Sequence, residues 1–255
     1  MLHIFHMHLK TIQASAFKAV FEVLKDIIND VNVYFSDEGI RILTIDTAHV
    51  TLVHMHLAAE NFEEYECAGK IIAGMNMANM FKLLKSVTSQ DTLTIDIEGR
   101  DYMQIKIENS SKKSFTAFKL KLLDINEDEL EVPDIEMDVI TTLPSVDFQK
   151  IARDMGNLSS DMSIVRYNNI LELSCMGDFA DQITKIEYPE HTSRVGNSYS
   201  LKYINMYTRA TSMCSSVQIM QNSTSPEMPI IFRYTIANLG DLKFYLAAKI
   251  DENES

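Results

Sequence analysis

Two pairs of histidines are the first residues in this chain with spacing that suggests chemistry. His6 and His8, like His54 and His56, stand two residues apart. That interval puts both side chains of a pair on one face of a β-strand, where they could begin a metal site. Alternation by two is also what any half-exposed strand shows, and no cysteine or carboxylate set stands ready to complete the coordination. The sequence therefore calls for no metal. Cys67, Cys175 and Cys214 are odd in number and lack C-x-x-C spacing, which argues for reduced, mostly buried thiols rather than a disulfide framework or a zinc knuckle. There are only 8 glycines, and the chain contains no G-x-x-x-x-G-K-[ST], G-x-S-x-G, H-E-x-x-H or G-x-G-x-x-G motif. No catalytic site can be assembled and no cofactor is expected; a metal-dependent enzyme is the least favoured alternative.

Basic residues offer a different chemistry. The formal net charge is -13, which alone argues against a protein that holds phosphates. The positions of the cations change that reading. Lys82 and Lys85 lie in Met77 to Thr88 with no acid among them, and Lys202 and Arg209 lie in an equally acid-free run to Met213. Lys18 with Lys25, and Lys150 with Arg153, form two further pairs, diluted by Glu22, Asp26, Asp147 and Asp154. Spacings of three and seven residues put each pair on one face of a helix. These four windows hold eight basic and four acidic residues, leaving 15 basic against 32 acidic elsewhere. A lysine on the solvated face of one helix is ordinary, but four such helices on an acidic body point to a surface that faces phosphate. No base-reading helix or stacking platform accompanies them, so contact would be with the nucleic-acid backbone and independent of sequence.

The elements that must carry these cations are four amphipathic helices among strands. Apolar spacing predicts helices over Ser15 to Asn29 (Phe17, Val20, Phe21, Leu24, Ile27, Ile28), over Met77 to Thr88, from Pro144-Ser145 onward (Phe148, Ile151, Ala152, Met155), and over Lys202 to Ser212. Runs rich in β-branched and aromatic residues predict strands at Val31–Phe35, Ile40–Ile45, Val50–Leu57, Thr92–Ile97, Tyr102–Glu108 and Phe115–Leu122 in the first half. Ile164–Tyr167, Ile170–Cys175, Gln182–Tyr188, Val217–Gln221 and Ile230–Ala237 follow in the second. The order helix, strands, helix, strands occurs twice with a period near 125 residues, the mark of a duplicated domain. Between the halves, Leu122 to Asp138 is acidic, interrupted by Pro133, and reads as an exposed linker. No apolar run approaches the roughly 18 residues of a membrane span, so a soluble intracellular protein without membrane partners is expected. The 15 methionines suggest adaptable core packing.

Several runs resemble the proliferating cell nuclear antigen (PCNA) family of DNA sliding clamps. Asp46-Thr47-Ala48-His49-Val50-Thr51-Leu52-Val53 is similar to the family's D-S-S-H-V-S-L-V segment. Leu24-Lys25-Asp26-Ile27-Ile28-Asn29, Pro144-Ser145 with Phe148 and Arg153-Asp154, and the run Leu239 to Ile250 match as well, in the family's order along nearly the whole chain. The resemblance implies an α+β clamp fold: two topologically similar domains, residues 1–121 and 137–255, each with two helices packed on antiparallel sheets, joined by a connector at 122–136. It implies a homotrimer closing head to tail into a pseudo-sixfold ring around double-stranded DNA, with a subunit of a heterotrimeric or checkpoint-type clamp as the alternative. The family's DNA-facing positions fall on Lys18, Lys25, Lys82, Lys85, Lys150, Arg153 and Arg209; Lys202 joins them by spacing alone, and Ala19 stands where the family has another lysine. The family's partner-peptide groove falls on Ile45, His49, Val50, Leu130, Val132, Pro133, Pro229, Tyr245, Leu246, Ala247, Ala248 and Ile250, with Ala248 in place of a usual proline. Implied partners are a replicative DNA polymerase, a clamp loader, and a flap endonuclease and DNA ligase carrying PIP-box peptides, in the nucleus or a viral replication compartment. Subunit edges fall near Ser114–Leu122 and Asp181–Glu187, the second shorter than in the family. The turn Tyr167-Asn168-Asn169 stands where many clamps carry a modifiable lysine.

Overall fold

The structure, a computed structural model, describes residues 6–132, 135–225 and 227–249. The chain divides into two compact units, the first comprising Met1–Thr44, Val53–Val132 and Thr235–Leu242, the second Ile45–Leu52, Pro133–Tyr234 and Lys243–Ser255.

The first half of the chain runs β1 (His6–Thr11), α1 (Ala14–Leu24), β2 (Asp30–Ser36), β3 (Gly39–Ile45), β4 (Thr51–Ala58), β5 (Glu64–Cys67), β6 (Ile71–Asn76), α2 (Met77–Leu84), β7 (Asp91–Glu98), β8 (Tyr102–Asn109) and β9 (Ser114–Lys121). A five-stranded antiparallel sheet has the order β5-β1-β7-β8-β9, with Leu9 opposite Ile95 and Ile95 opposite Ile105. Alternation sends Met7, Leu9, Leu93, Ile95, Ile97, Met103 and Ile105 into the core and leaves the charged residues of the same strands on the other face, except Asp91, which is buried and accepts a hydrogen bond from the Asn109 side chain. Antiparallel β2 pairs with β3 on one side and β6 on the other. Gly39 closes the β2–β3 hairpin at φ 132°, and a Cβ there would stand 2.0 Å from the Leu57 carbonyl oxygen, so both the backbone conformation and the space exclude a side chain. Helices α1 and α2 pack side by side, burying Phe17, Val20, Phe21 and Leu24 from one and Met77, Met80 and Leu84 from the other.

The second half runs β10 (Val139–Pro144), α3 (Ser145–Gly156), β11 (Asp161–Cys175), β12 (Gln182–Ser200), α4 (Leu201–Tyr207), β13 (Ser216–Gln221), β14 (Ile230–Ile236) and β15 (Gly240–Leu246). In the second unit β10, β13 and β14 pair antiparallel, and β11 pairs with β12. Helices α3 and α4 pack together as their counterparts do. Under them an aromatic cluster forms the centre of the core: Tyr207 stacks on Phe244 at 4.4 Å between centroids and meets Phe232, which stacks on Phe148 at 5.6 Å.

Several sequence-based boundaries move. Helix α1 stops at Leu24 rather than Asn29, because the N–H groups of both Ile27 and Ile28 turn back onto the Leu24 carbonyl and close the helix, although Ile28 is still buried. Helix α2 stops at Leu84, and the fourth helix gives way after Tyr207 to a 3-10 turn over Thr208–Ser212. The tighter turn brings Thr208 and Ala210 inward and leaves Met206 only half-buried, while Ile204 takes the core position. The two strands expected at Ile164–Tyr167 and Ile170–Cys175 are one continuous β11. The expected turn at Tyr167-Asn168-Asn169 is a bulge inside it, with Asn168 at φ 46° and the register shifting on either side. Arg166 is buried here, and its guanidinium donates to the carbonyls of Asn168 at 2.7 Å, Ile170 at 3.1 Å and Pro189. β12 extends to Ser200, far beyond Tyr188, through a polar stretch without the composition of a strand.

Candidate nucleic-acid interface and partner surface

Within the first unit, Lys82 and Lys85 project from the solvent side of α2, opposite Met77, Met80 and Leu84. The helix begins where the Asn76 side chain accepts the Asn79 N–H at 2.9 Å, a cap that fixes its first turn and therefore the direction of the lysines one turn later. Both lysines lie at the C-terminal end, where the helix dipole favours a cation. Lys18 and Lys25 on α1 behave differently. Lys18 is half-buried and donates to the Val87 carbonyl at 2.6 Å, tying α1 to the segment after α2. Lys25 pairs with the adjacent Asp26 at 2.9 Å and stands 5.4 Å from the Phe81 ring centroid.

Within the second unit, Lys150, Arg153, Lys202 and Arg209 are all exposed. Arg153 approaches Asp154 only to 3.8 Å with both groups largely in water, a pairing that leaves the guanidinium accessible. Lys202 lies over the Tyr203 ring at 5.5 Å. Thus six of the eight cations singled out in the sequence stand on exposed helix surface, while Lys18 and Lys25 serve internal contacts of the first unit.

The segment Asp46 to Thr51 is a preformed loop. The Asp46 carboxylate accepts the N–H of Val50 and of Thr51, each at 2.8 Å, and the Tyr203 hydroxyl at 3.0 Å, while the Asp46 N–H bonds back to the Thr51 carbonyl. Burial works to raise the pKa of this carboxyl, but the donors on its oxygens outweigh burial and hold it below the ordinary aspartate value. Beside it Thr51 and Tyr207 join their hydroxyls. The loop leaves His49 in the left-handed region at φ 56° with its side chain exposed, Val50 half-buried and Ile45 exposed. In the same unit the Ala247 N–H donates to the Val50 carbonyl at 3.2 Å. Ala247 is exposed, with Ala248 and Pro229 half-buried. Leu246 and Tyr245, expected in the groove, have 0% and 6% of their surface exposed, so their side chains belong to the core. Pro133 and Ile250 lie outside the described residues.

The acidic segment after β9 is anchored in the first unit. Leu123 forms a bridge to Gly74 at the open edge of β6, and Asn32 donates to the Ile125 carbonyl at 3.0 Å. Further on, Glu129 pairs with both Arg41 and Lys70, each of which also lies over the Tyr34 ring. The hydrogen bond from Lys70 is the chief reason that the Glu129 carboxyl is held below its usual range. Leu130 is then half-buried and Val132 exposed. Glu129 could not be distinguished in the sequence from the other acids of its run, and Asp46 stood in a recognised motif without an assigned task; only the fold reveals what each one holds.

The histidine pairs do other work. His8 Nδ1 lies 2.6 Å from Asp96, and its Nε2 reaches Glu64, which also takes Lys10 at 2.6 Å, forming an ion cluster across β5, β1 and β7. His54 is buried. Among the described residues no group of three or more His, Cys, Asp or Glu is placed to hold a metal ion, and no helix is long and apolar enough to cross a membrane.

Two units of two helices each on antiparallel sheets, with cations on the exposed helix faces of an acidic chain, define a DNA clamp fold. The family models for the N-terminal and C-terminal domains of proliferating cell nuclear antigen match residues 6–131 and 131–249. The chain is 36% identical over 253 residues to the probable DNA polymerase sliding clamp 1 of Paramecium bursaria Chlorella virus 1, covering 94% of this chain and 95% of that protein. It is 32% identical over 255 residues to the proliferating cell nuclear antigen of Chaetomium thermophilum, covering 95% and 97%. The chain belongs to the proliferating cell nuclear antigen family, whose members are DNA polymerase processivity factors.

Proposed function

We propose that the chain acts as a DNA polymerase processivity factor without catalytic activity of its own, three copies closing head to tail around double-stranded DNA. The observation that carries this reading is the segregation of charge: Lys82, Lys85, Lys150, Arg153, Lys202 and Arg209 stand exposed on helices of a chain with a net charge of -13. Flexible cations that touch phosphate one at a time can exchange as the ring moves, and retention then comes from encirclement rather than from tight binding. The two domains of each copy are residues 1–121 and 137–255, joined by the connector at 122–136. Lys18 and Lys25 support the DNA-facing surface through packing more than through phosphate contact.

The partner surface comprises Ile45, His49, Val50, Leu130, Val132, Pro133, Pro229, Ala247, Ala248 and Ile250, and it receives an extended peptide with aromatic anchors of the PIP-box kind. A replicative polymerase, a clamp loader, a flap endonuclease and a DNA ligase are the partners this reading names, in the nucleus or in a viral replication compartment. Light scattering on the purified chain across a dilution series tests the assembly, with a mass of three subunits expected. A monomer at every concentration would overturn the homotrimer and favour a ring of mixed subunits. Polymerase extension on primed circular DNA tests the function, with longer products expected when the ring is present.

A further inference from the structure

The acidic segment after β9 is held near its start by the bridge of Leu123 to Gly74 and by the hydrogen bond from Asn32 to Ile125. A cleft of about 710 Å³ is lined by Leu123, Asp124 and Ile125 of the segment and by Ile71, Ile72 and Arg100 of the body, so the segment is not packed down along this stretch. Among the described residues from 126 to 132, only Glu129 makes a hydrogen bond or an ion pair. Its carboxylate is divided: Oε1 accepts from Arg41 and Oε2 from Lys70. One side chain therefore limits where Leu130 and Val132 can stand, since successive Cα atoms are only about 3.8 Å apart.

The two cations are ordered by the same ring. Register places Arg41 directly opposite Tyr34 in the β2–β3 hairpin, and Lys70 stands immediately before β6, the other neighbour of β2. The guanidinium carbon lies 5.5 Å and the ammonium 5.2 Å from the centroid of the buried Tyr34 ring. A single surface ion pair contributes little, because two long side chains must be frozen to make it. Here that cost is shared: one ring holds both bases, and one carboxylate joins them. The side chains of Arg41, Lys70 and Glu129 are 30%, 47% and 35% exposed, so salt can reach the junction.

We propose that Glu129, gripped by Arg41 and Lys70, is a positioning residue for the partner surface. It does not touch the peptide; it holds Leu130 and Val132 in place before an extended peptide arrives, so the segment is ordered during folding and costs less to order on binding. Two consequences separate this role from that of an ordinary ion pair. Arg41 and Lys70 act through Glu129, so the effects of removing the cations and of removing the carboxylate do not add. Salt also weakens the binding of a peptide that has no charge, because the screened contact lies within the protein. The proposal rests on the partner-surface reading given above and adds to it the residues that prepare the site.

Two measurements on the full chain test it, comparing the wild type with Arg41→Gln plus Lys70→Gln, with Glu129→Gln, and with all three together; circular dichroism checks that each variant folds. Thermolysin, which cuts before large apolar residues, reads the segment in the absence of peptide. Cleavage before Leu130 and Val132, located by mass spectrometry, is expected to be roughly threefold faster in the cation variant, whose cut sites are unaltered. Calorimetry with a PIP-box peptide lacking charged groups is expected to show affinity about threefold weaker in every variant, the triple one included. Only the wild type is expected to lose affinity between roughly 50 and 500 mM salt. An unchanged cleavage rate would overturn the hold on the segment and leave the partner surface standing. Faster cleavage at unchanged affinity would overturn the positioning role. A wild-type chain that binds no such peptide would overturn the partner-surface reading and the proposal with it, whatever the cleavage shows.

Discussion

Asp46 and His8 respond to pH in opposite directions, and the reason lies in what each one touches. The Asp46 carboxyl is held below its ordinary value of 3.8 in spite of burial, by the Thr51 and Val50 N–H groups and the Tyr203 hydroxyl. A depressed folded value means that its contribution to stability is complete above that ordinary value and lost as pH falls through the folded one. His8 is raised above 6.5, chiefly by the hydrogen bond with Asp96, so its contribution is complete below 6.5 and lost as pH rises through its folded value. Asp46→Asn is therefore expected to loosen the His49 loop at neutral pH, whereas His8→Gln lowers the melting temperature at pH 5.5 more than at pH 8.5; thermal melts of both variants at the two pH values check this. Arg166 makes a simpler case. Arg166→Leu would leave the carbonyls of Asn168, Ile170 and Pro189 without their donor, and destabilisation of roughly 1–3 kcal/mol in urea unfolding is expected. None of this was legible beforehand, since Arg166 in the sequence is one more strand residue and its partners are backbone carbonyls, two from the bulge of its own strand and one from β12.

Among the elements, helices were easier to read than strands, and their apolar faces easier than their ends. Phe148, Ala152 and Met155 are buried as their spacing requires, and so are Met77, Met80 and Leu84. The ends depend on which carbonyl a departing N–H finds, which spacing does not encode; this is why α1 stops five residues before Asn29. β12 escaped notice past Tyr188 because Pro189 to Ser200 has polar side chains and a glycine, and its pairing with β11 rather than its composition makes it a strand. The helices also divide the cations into two kinds with separable effects. Replacing Lys82, Lys85 and Arg209 with alanine is expected to reduce the salt dependence of duplex binding, by roughly one unit of slope in log K against log salt per cation, at unchanged melting temperature. Lys18→Ala is expected to do the reverse, lowering the melting temperature through loss of the Val87 contact and leaving the slope nearly unaltered. Fluorescence anisotropy on a short duplex from 50 to 200 mM salt, paired with thermal melts, separates the two.

For the molecule as a whole, resemblance to a family supplied what periodicity could not, namely an expectation of which helix faces meet DNA and which residues meet a partner peptide. It could not say that Tyr245 and Leu246 are interior here, because a motif carries no measure of burial. The proposed partner surface is therefore better probed from the acidic segment after β9. Leu130→Ser with Val132→Ser is expected to weaken binding of a PIP-box peptide at least tenfold by calorimetry, and Glu129→Gln, which loosens the hold of Arg41 and Lys70, to weaken it less, with assembly unchanged in both. A last consequence concerns sulfur. Met7, Met55, Met75, Met77, Met80, Met103, Met155 and Met162 are all at most 1% exposed, whereas Met176 stands 86% in water. Peroxide should therefore reach Met176 long before the core, converting a greasy tip into a polar sulfoxide that methionine sulfoxide reductase can reverse. Mild oxidation of the isolated subunit followed by mass spectrometry is expected to find an adduct at Met176 ahead of Met228, which is 37% exposed, and well ahead of the core methionines.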